Sequence, residues 1–483
     1  MRESVYSGAG HSTSCRVKGL AMKSHALTLT RLIVCTAFLF CIAAAHAAET
    51  AARPNFIFIM ADDFGWADVG FHGGNVATPN LDRLKVEGVE LTQHYVYPVC
   101  SPTRSSLLSG RYASRFGITN PQAPRAYRWD TTTLASALKS VGYETCLTGK
   151  WHLGSLPEWG PQKFGFDHSY GSLGGGVGPW DHRYKTGEYT QTWHRNGKLI
   201  EEPGHVTDLL AREATQWLES RGERPFLLYV PFTAVHLPIR EPEEWVNRVS
   251  KEIVEPSHRE YAACVMHLDA SIGKILETLK KTGKETNTLV VFTSDNGGIV
   301  TGNADQAYPP DNYVAGTTNG NNKPLRGQKG SVYEGGTRVP TVARWLGKLK
   351  PGQYTAPAHI SDWMPTLTSL AGYKPDKDLK WDGRNIWPGL SGAELPKPRT
   401  IYSVAPGFRA RALRDGDWKL IVNEPAAAKK VEKPKADSVE LFNLATDPYE
   451  TTNLADSMPD KVTSLKAKLA EISAADRDAV AND

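Results

Sequence analysis

Four short apolar runs constrain this chain more than any other feature: "NFIFIMADD" (55–63), "YETCLTGKWH" (143–152), "PFLLYVPFTAVH" (225–236) and "LVVFTSDNGG" (289–298). Runs of this length, rich in Val, Ile, Leu and Phe and stopped abruptly by polar residues, read as strands buried on both faces of a parallel sheet. Helical patterns lie between them, "TPNLDRLKVEGV", "TTLASALKSVG", "VTDLLAREATQWLES" and "REYAACVMHLDASIGKILETLKKTG". Strands alternating with helices predict an α/β sandwich. In such sheets ligands gather outside the carboxyl ends of the strands. Each run here ends in residues able to do chemistry: Asp62 and Asp63, then Lys150 and His152, then His236, then Asp295 and Asn296. Four such endings point to one cleft.

At 483 residues the chain exceeds one ordinary core and predicts a large domain with a smaller one. Past about Pro398 the composition shifts. "RARALRDGDWKLIV" alternates like a hairpin, "VELFNLATDPYETTNLAD" is a strand followed by turns, and a helix over 460–472 closes the chain. The expected organisation is a catalytic α/β domain over 54–398 and a small antiparallel-sheet-plus-helix module over 399–483. The Lys429–Lys435 cluster reads as a solvated loop, with contact to an anionic glycan as the alternative.

Residues 1–47 stand apart. "RLIVCTAFLFCIAAAHA" combines a basic flank, an apolar run and a small-residue end, the pattern of a secretory signal peptide cleaved near Ala47. The run is short for a bilayer span, and neither Cys35 nor Cys41 follows the small residue that lipid attachment requires, so an exported, periplasmic or secreted protein without a membrane anchor is expected. The leader carries five basic residues against one acidic. Removing it takes the formal +4 to about zero, so no nucleic-acid partner is implied and attraction for an anionic substrate must be local.

Asp62-Asp63 and Asp295-Asn296 together offer four oxygen-bearing side chains, a set suited to Ca²⁺ or Mg²⁺ and not to zinc. Either pair alone reads first as a helix cap or a turn former; the two together shift the balance toward a metal site. Lys150, His152, His236 and Lys329 add cationic donors that, beside a metal, make an oxyanion pocket. A single histidine after a strand reads more simply as a hydrogen-bonded structural residue.

Three cysteines remain beyond the leader, Cys100, Cys146 and Cys264, too few for a disulfide framework. Cys146 and Cys264 sit in apolar patterns and are expected to be buried. Cys100 opens "CSPTRSSLLSGRY", a helix entered at Ser101 or Pro102, where the helix N-terminus favours an oxyanion or an activated nucleophile. A bare thiolate there is a plausible nucleophile, but a poor partner for a hard, oxygen-ligated cation.

Cys100, Pro102 and Arg104 stand in a C-x-P-x-R arrangement that resembles the type I sulfatases. "ADDFGWADVGFHG", "TPNLDRL", "GYETCLTGKWHLG", "SDNGG" and "PLRGQKGSVYEGGTRVP" also look like sulfatase segments. The resemblance covers nearly all of the chain beyond the leader and is closest to the N-acetylgalactosamine 4-sulfatases and bacterial polysaccharide sulfatases. Ser109 and Thr148 depart mildly from the family pattern. The resemblance implies an alkaline-phosphatase-like fold, with a large mixed, mostly parallel sheet between helices. It implies that a maturation enzyme oxidises Cys100 to Cα-formylglycine, whose hydrate is an oxygen nucleophile. Ca²⁺ would be bound by Asp62, Asp63, Asp295, Asn296 and modified Cys100, Arg104 would hold the hydrate, and Lys150, His152, His236 and Lys329 would surround the sulfate. His236 or Lys329 would protonate the leaving sugar oxygen and His152 would take the proton of the second hydroxyl.

The implied substrate is a sulfated glycan, first a 4-O-sulfated galactose or N-acetylgalactosamine unit. The loop "YGSLGGGVGPWDHRYKTGEY" and the insertion at 302–324 are expected to flank the cleft. Trp180, His182, Arg183 and Tyr184 could meet sugar there, or the loop could pack on itself. Two rivals stand beside this reading. One is a phosphonate monoester hydrolase or phosphodiesterase of the same superfamily, and the other is a non-catalytic glycan-binding relative.

Overall fold

The computed structural model describes residues 53–183, 190–302, 307–308, 313–314, 316–393, 399–424 and 438–482. The leader 1–47, Tyr184, the Lys429–Lys435 cluster and part of the 302–324 insertion lie outside the described residues. No helix among the described residues is long and apolar enough to cross a membrane.

Pro54–Asp483 form one compact unit around a ten-stranded sheet. Its strands are β1 (Asn55–Ala61), β2 (Val89–Leu91), β3 (Glu144–Lys150), β4 (His168–Ser172), β5 (Trp193–Arg195), β6 (Lys198–Leu199), β7 (Phe226–Pro231), β8 (Thr288–Ser294), β9 (Val342–Arg344) and β10 (Gly352–Tyr354), in the spatial order β10-β2-β9-β8-β1-β7-β3-β4-β5-β6. The central strands β8, β1, β7, β3 and β4 run parallel; β9 and β5 pair antiparallel with their neighbours, making the sheet mixed but mostly parallel. The four apolar runs are β1, β3, β7 and β8.

β1 shows why such runs are apolar throughout. Phe56, Phe58 and Met60 face one core, while Ile57, Ile59 and Ala61 face another. Alternate side chains leave a strand on opposite sides, so a sheet covered on both faces needs apolar residues at every position. The first core holds residues of α2 (Cys100–Ser109), α3 (Leu134–Ser140), α6 (Trp363–Leu370) and α7 (Pro459–Ser473). The second holds residues of α1 (Pro79–Glu87), α4 (Val206–Glu219) and α5 (Pro256–Lys281).

A separate four-stranded antiparallel sheet follows: β11 (Thr400–Val404), β12 (Ala410–Asp415), β13 (Trp418–Asn423) and β14 (Ser438–Asn443). The β12–β13 pair is the expected hairpin, and α7 extends the expected closing helix by one residue at each end. Strand β11 was not foreseen. Its register against β12, Thr400 opposite Asp415 through Val404 opposite Arg411, is set by tertiary pairing.

Candidate active site

Strands β1, β3, β7 and β8 deliver their terminal residues to one place. Lys150 Nζ donates to Asp62 Oδ2 at 2.6 Å, and Lys329 Nζ lies 2.6 Å from Asp63 Oδ1. Arg104, fully buried on α2, donates to Asp295 Oδ2 at 2.7 Å and to the Lys150 carbonyl at 3.0 Å, and stands 3.8 Å from Asp62. Asn296 Nδ2 donates to Asp63 Oδ1 at 2.8 Å, and the Asp63 amide donates to Asp295 Oδ1 at 3.2 Å. His236 Nε2 lies 3.9 Å from Asp63 Oδ2.

Cys100 is the first residue of α2, not of the loop before it. It is buried, and the backbone of the preceding Val99 is extended. Burial pushes its thiol up against the pull of Lys150 and Lys329, so the unmodified side chain is not a ready thiolate. Its neighbour Ser101 donates from Oγ to the His152 carbonyl at 2.9 Å, tying the helix start to the end of β3. Gly330 N donates to the Pro98 carbonyl at 2.7 Å, bringing the Lys329 loop to the same turn. Cys146 and Cys264 are buried and unbridged, as expected.

Two site residues hold left-handed backbone that non-glycine residues rarely adopt, Asp63 (φ 61°) and His152 (φ 57°). Such conformations are costly and collect at functional sites.

Charge is heavily tuned. Burial and the nearby Asp62 carboxylate raise Asp295 to about 6. Asp63 stays below the usual carboxylate range because Lys329, His236 and the Asn296 hydrogen bond outweigh its burial. Asp63 in turn keeps Lys329 protonated despite burial. His236 falls to about 3 through burial and Lys329, and His152 is depressed by burial, Lys150 and Arg104, so both imidazoles are neutral.

Asp62 Oδ1 and Asn296 Oδ1 are buried without a hydrogen-bond donor. Asp62, Asp63 and His236 bring ligand atoms within 4.8 Å of one another. Three carboxylates and an amide oxygen, with two of these oxygens unclaimed and the Asp295 carboxyl raised by burial and by Asp62, fit a hard divalent cation.

The structure also separates some expected residues. His182 is buried, bonds the Gly204 carbonyl through Nε2 at 2.9 Å and stacks on Trp193, so its ring is taken up by residues outside the glycine-rich loop. Arg183 pairs with Glu201. Trp180 is 39% exposed and donates from Nε1 to the carbonyl of Arg240, four residues past His236. Sequence reasoning missed Gly175: a Cβ there would lie 2.3 Å from His152 Nε2, so only glycine lets the loop cover the ring. The triplet Gly174-Gly175-Gly176 was the available signal.

A family model described as Sulfatase matches residues 54–373. Arylsulfatase J of Mus musculus is 33% identical over 470 residues, covering 87% of this chain and 76% of the relative. N-acetylgalactosamine-6-sulfatase of Mus musculus is 34% identical over 383 residues, covering 74% and 70%. Among solved structures, Ps i-CgsB in complex with k-i-k-neocarrahexaose matches with a TM-score of 0.77 at 31% identity, over 89% of this chain and 95% of that one. With this fold, these side chains and these relatives, the chain belongs to the sulfatase family and is a sulfuric ester hydrolase.

Proposed function

We propose that this protein hydrolyses sulfate esters on a sulfated oligosaccharide or polysaccharide, with Cys100 converted to formylglycine and Ca²⁺ held by Asp62, Asp63, Asp295, Asn296 and the modified residue. The observation that carries this reading is the meeting, at four strand ends, of an oxygen-only acidic set with two unclaimed oxygens and a ring of buried cations around the start of α2. The hydrated aldehyde supplies an oxygen nucleophile, and the cation supplies charge that favours its ionised form and polarises the ester.

The protein's own groups do the rest. Arg104, fixed by Asp295 and the Lys150 carbonyl, orients position 100. With a cation held by Asp62 and Asp63, Lys150 and Lys329 would be released from these carboxylates to bind sulfate oxygens. Lys329, kept protonated, is the donor for the leaving sugar oxygen, a role His236 would share only once protonated. His152, kept neutral and covered by Gly175, accepts the proton that lets sulfate depart. In this reading the domains are 54–398 for catalysis and 399–483 as a bracing module, and export follows cleavage near Ala47.

A galactose or N-acetylgalactosamine unit is the first substrate to test, supported by the names of the relative and of the complexed oligosaccharide. The sequence resemblance favours 4-O-sulfate, whereas the named relative is a 6-sulfatase; oligosaccharides sulfated at one position or the other separate the two. Cys100→Ala should abolish sulfate release, and mass spectrometry of active protein should show the cysteine-to-formylglycine loss. Unmodified Cys100 in fully active protein would overturn the mechanism. Faster cleavage of an aryl phosphodiester than of an aryl sulfate would favour the phosphonate-hydrolase reading.

A further inference from the structure

The loops that leave β1, β7 and β8 run on past their reactive residues and enclose a second cavity of about 300 Å³. Asp68 and Asn75 come from the first loop, His258 from the first turn of α5, and Val300, Asn319 and Lys323 from the third. These are the loops that carry Asp62-Asp63, His236 and Asp295-Asn296, so the cavity sits at the same end of the sheet as the site. The first and third loops pack backbone to backbone: a Cβ on Gly65, two residues past Asp63, would lie 2.5 Å from the Asn321 carbonyl oxygen.

The walls are built in advance. Asp68 accepts from the Gly65 amide (2.7 Å), the Tyr261 hydroxyl (2.7 Å) and the Asn321 amide (3.0 Å), tying all three loops together. Asp68, His258 and Lys323 all line the cavity, but three donors already engage Asp68. Lys323 is exposed and has no ion-pair partner among the described residues. Asn319 Nδ2 is buried with no acceptor, and Val300, 60% exposed, offers an apolar face. An amide donor without an acceptor, an unpaired ammonium and an apolar platform at the low end of the usual ligand-pocket size are complementary to one anionic sugar ring.

We propose that this cavity is a subsite for a sulfated or carboxylated unit of the same glycan chain, away from the sugar whose ester is cleaved, with Lys323 binding its anion. The inference rests on the glycan reading above. It makes the protein a reader of more than one sugar, because contacts remote from sulfur contribute binding energy that a small aryl ester cannot use.

The test compares kcat/KM on a sulfated tetrasaccharide that the wild type desulfates with kcat/KM on p-nitrophenyl sulfate. In Lys323→Ala the ratio of the two should fall about tenfold, the size of one charge-assisted hydrogen bond. Val300→Asp, which adds a carboxylate to the lining, should lower it further. An unchanged ratio in both variants overturns the subsite. So does an equal loss on both substrates, which would place Lys323 at the reacting centre. Wild-type protein that splits the aryl sulfate but no sulfated oligosaccharide would defeat the glycan reading itself, an outcome distinct from variants that keep pace with an active wild type.

Discussion

Two clusters of buried charge lie in this molecule, and they are built to opposite rules. One is the site at the strand ends. The other joins the C-terminal sheet to the loop after Lys329, where Lys419 Nζ stands 2.9 Å from Glu334 and 2.8 Å from Glu450. There the Tyr95 hydroxyl donates to Glu334 at 2.7 Å, the Glu334 amide donates to Glu450 at 2.7 Å, and Arg338 lies 3.6 Å from Glu334. Burial alone would raise Glu334, but Lys419, Arg338 and Arg414 hold it down at about 2. In that cluster each carboxylate meets a cation: Lys419 stands against both, including Glu450 Oε1, although burial and Glu334 raise Glu450. In the site Asp62 Oδ1 and Asn296 Oδ1 have no hydrogen-bond donor. A buried set that satisfies itself holds parts together, whereas one left incomplete is finished by what it binds.

The brace serves the site. Arg326 donates to the Glu450 carbonyl at 3.0 Å, the Tyr333 hydroxyl to Glu440 at 2.6 Å, and Val332 is buried with Ala410, Ile421 and Phe442. The loop carrying Lys329 is therefore pinned between the small sheet and Pro98.

The contrast breaks most visibly by swapping penalties. Asp295→Asn should lower turnover at least a thousandfold, since it removes an oxygen ligand and the anchor of Arg104 together. Its cation-free stability should fall less than that of Lys419→Met, because Asp62 still faces Arg104 at 3.8 Å and the carboxyl removed is already raised by burial and by Asp62. Lys419→Met should do the reverse. It strands two buried carboxylates and should cost about 3–5 kcal/mol in urea unfolding, with turnover of the folded fraction reduced far less. If Asp295→Asn proves the more destabilising of the two, the distinction fails.

Metal addition sharpens the same comparison at smaller size. Protein stripped with EDTA should gain about 2.7 kcal/mol when Ca²⁺ is restored to about 100 times its Kd, seen as a rise in Tm. Asp295→Asn should lose most of that gain, while Lys419→Met should keep it although its baseline is lower. Equal gains in wild type and Asp295→Asn would place the cation elsewhere.

The legibility of the two clusters differs for a physical reason. The site could be read from the chain because a parallel sheet forces each apolar strand to end at a common edge, so Asp62, Lys150, His236 and Asp295 carry a local mark. The brace has no such mark. Glu334, Lys419 and Glu450 sit in unremarkable contexts, and only the packing of β13 against the loop after Lys329 makes them partners. His182 is a related case: a polar residue in a glycine-rich loop looks available until Trp193 and Gly204 enclose it.

Acid gives the smallest and most local probe of the brace. His94, next to Tyr95, is fully buried: Trp363 Nε1 donates to its Nε2 at 3.0 Å, and Thr341 Oγ1 lies 3.0 Å from Nδ1. Nε2 must accept, so the proton belongs on Nδ1 and the ring is neutral. Burial lowers its folded-state value to about 3, below the ordinary 6.5. A histidine depressed in this way contributes stability that is complete above pH 6.5 and is lost as pH falls toward 3. At pH 5 the loss is about 2 kcal/mol, at about 1.4 kcal/mol per pH unit. Glu334 is still ionised at that pH, so the first acid loosening here comes from imidazole and not from the carboxylates. His94→Gln keeps an acceptor for Trp363 and a donor for Thr341 without a titrating proton. Between pH 6.5 and 5 its unfolding free energy should fall less steeply than that of the wild type, by about one proton. Parallel curves for the two proteins would show that His94 is not the group that titrates.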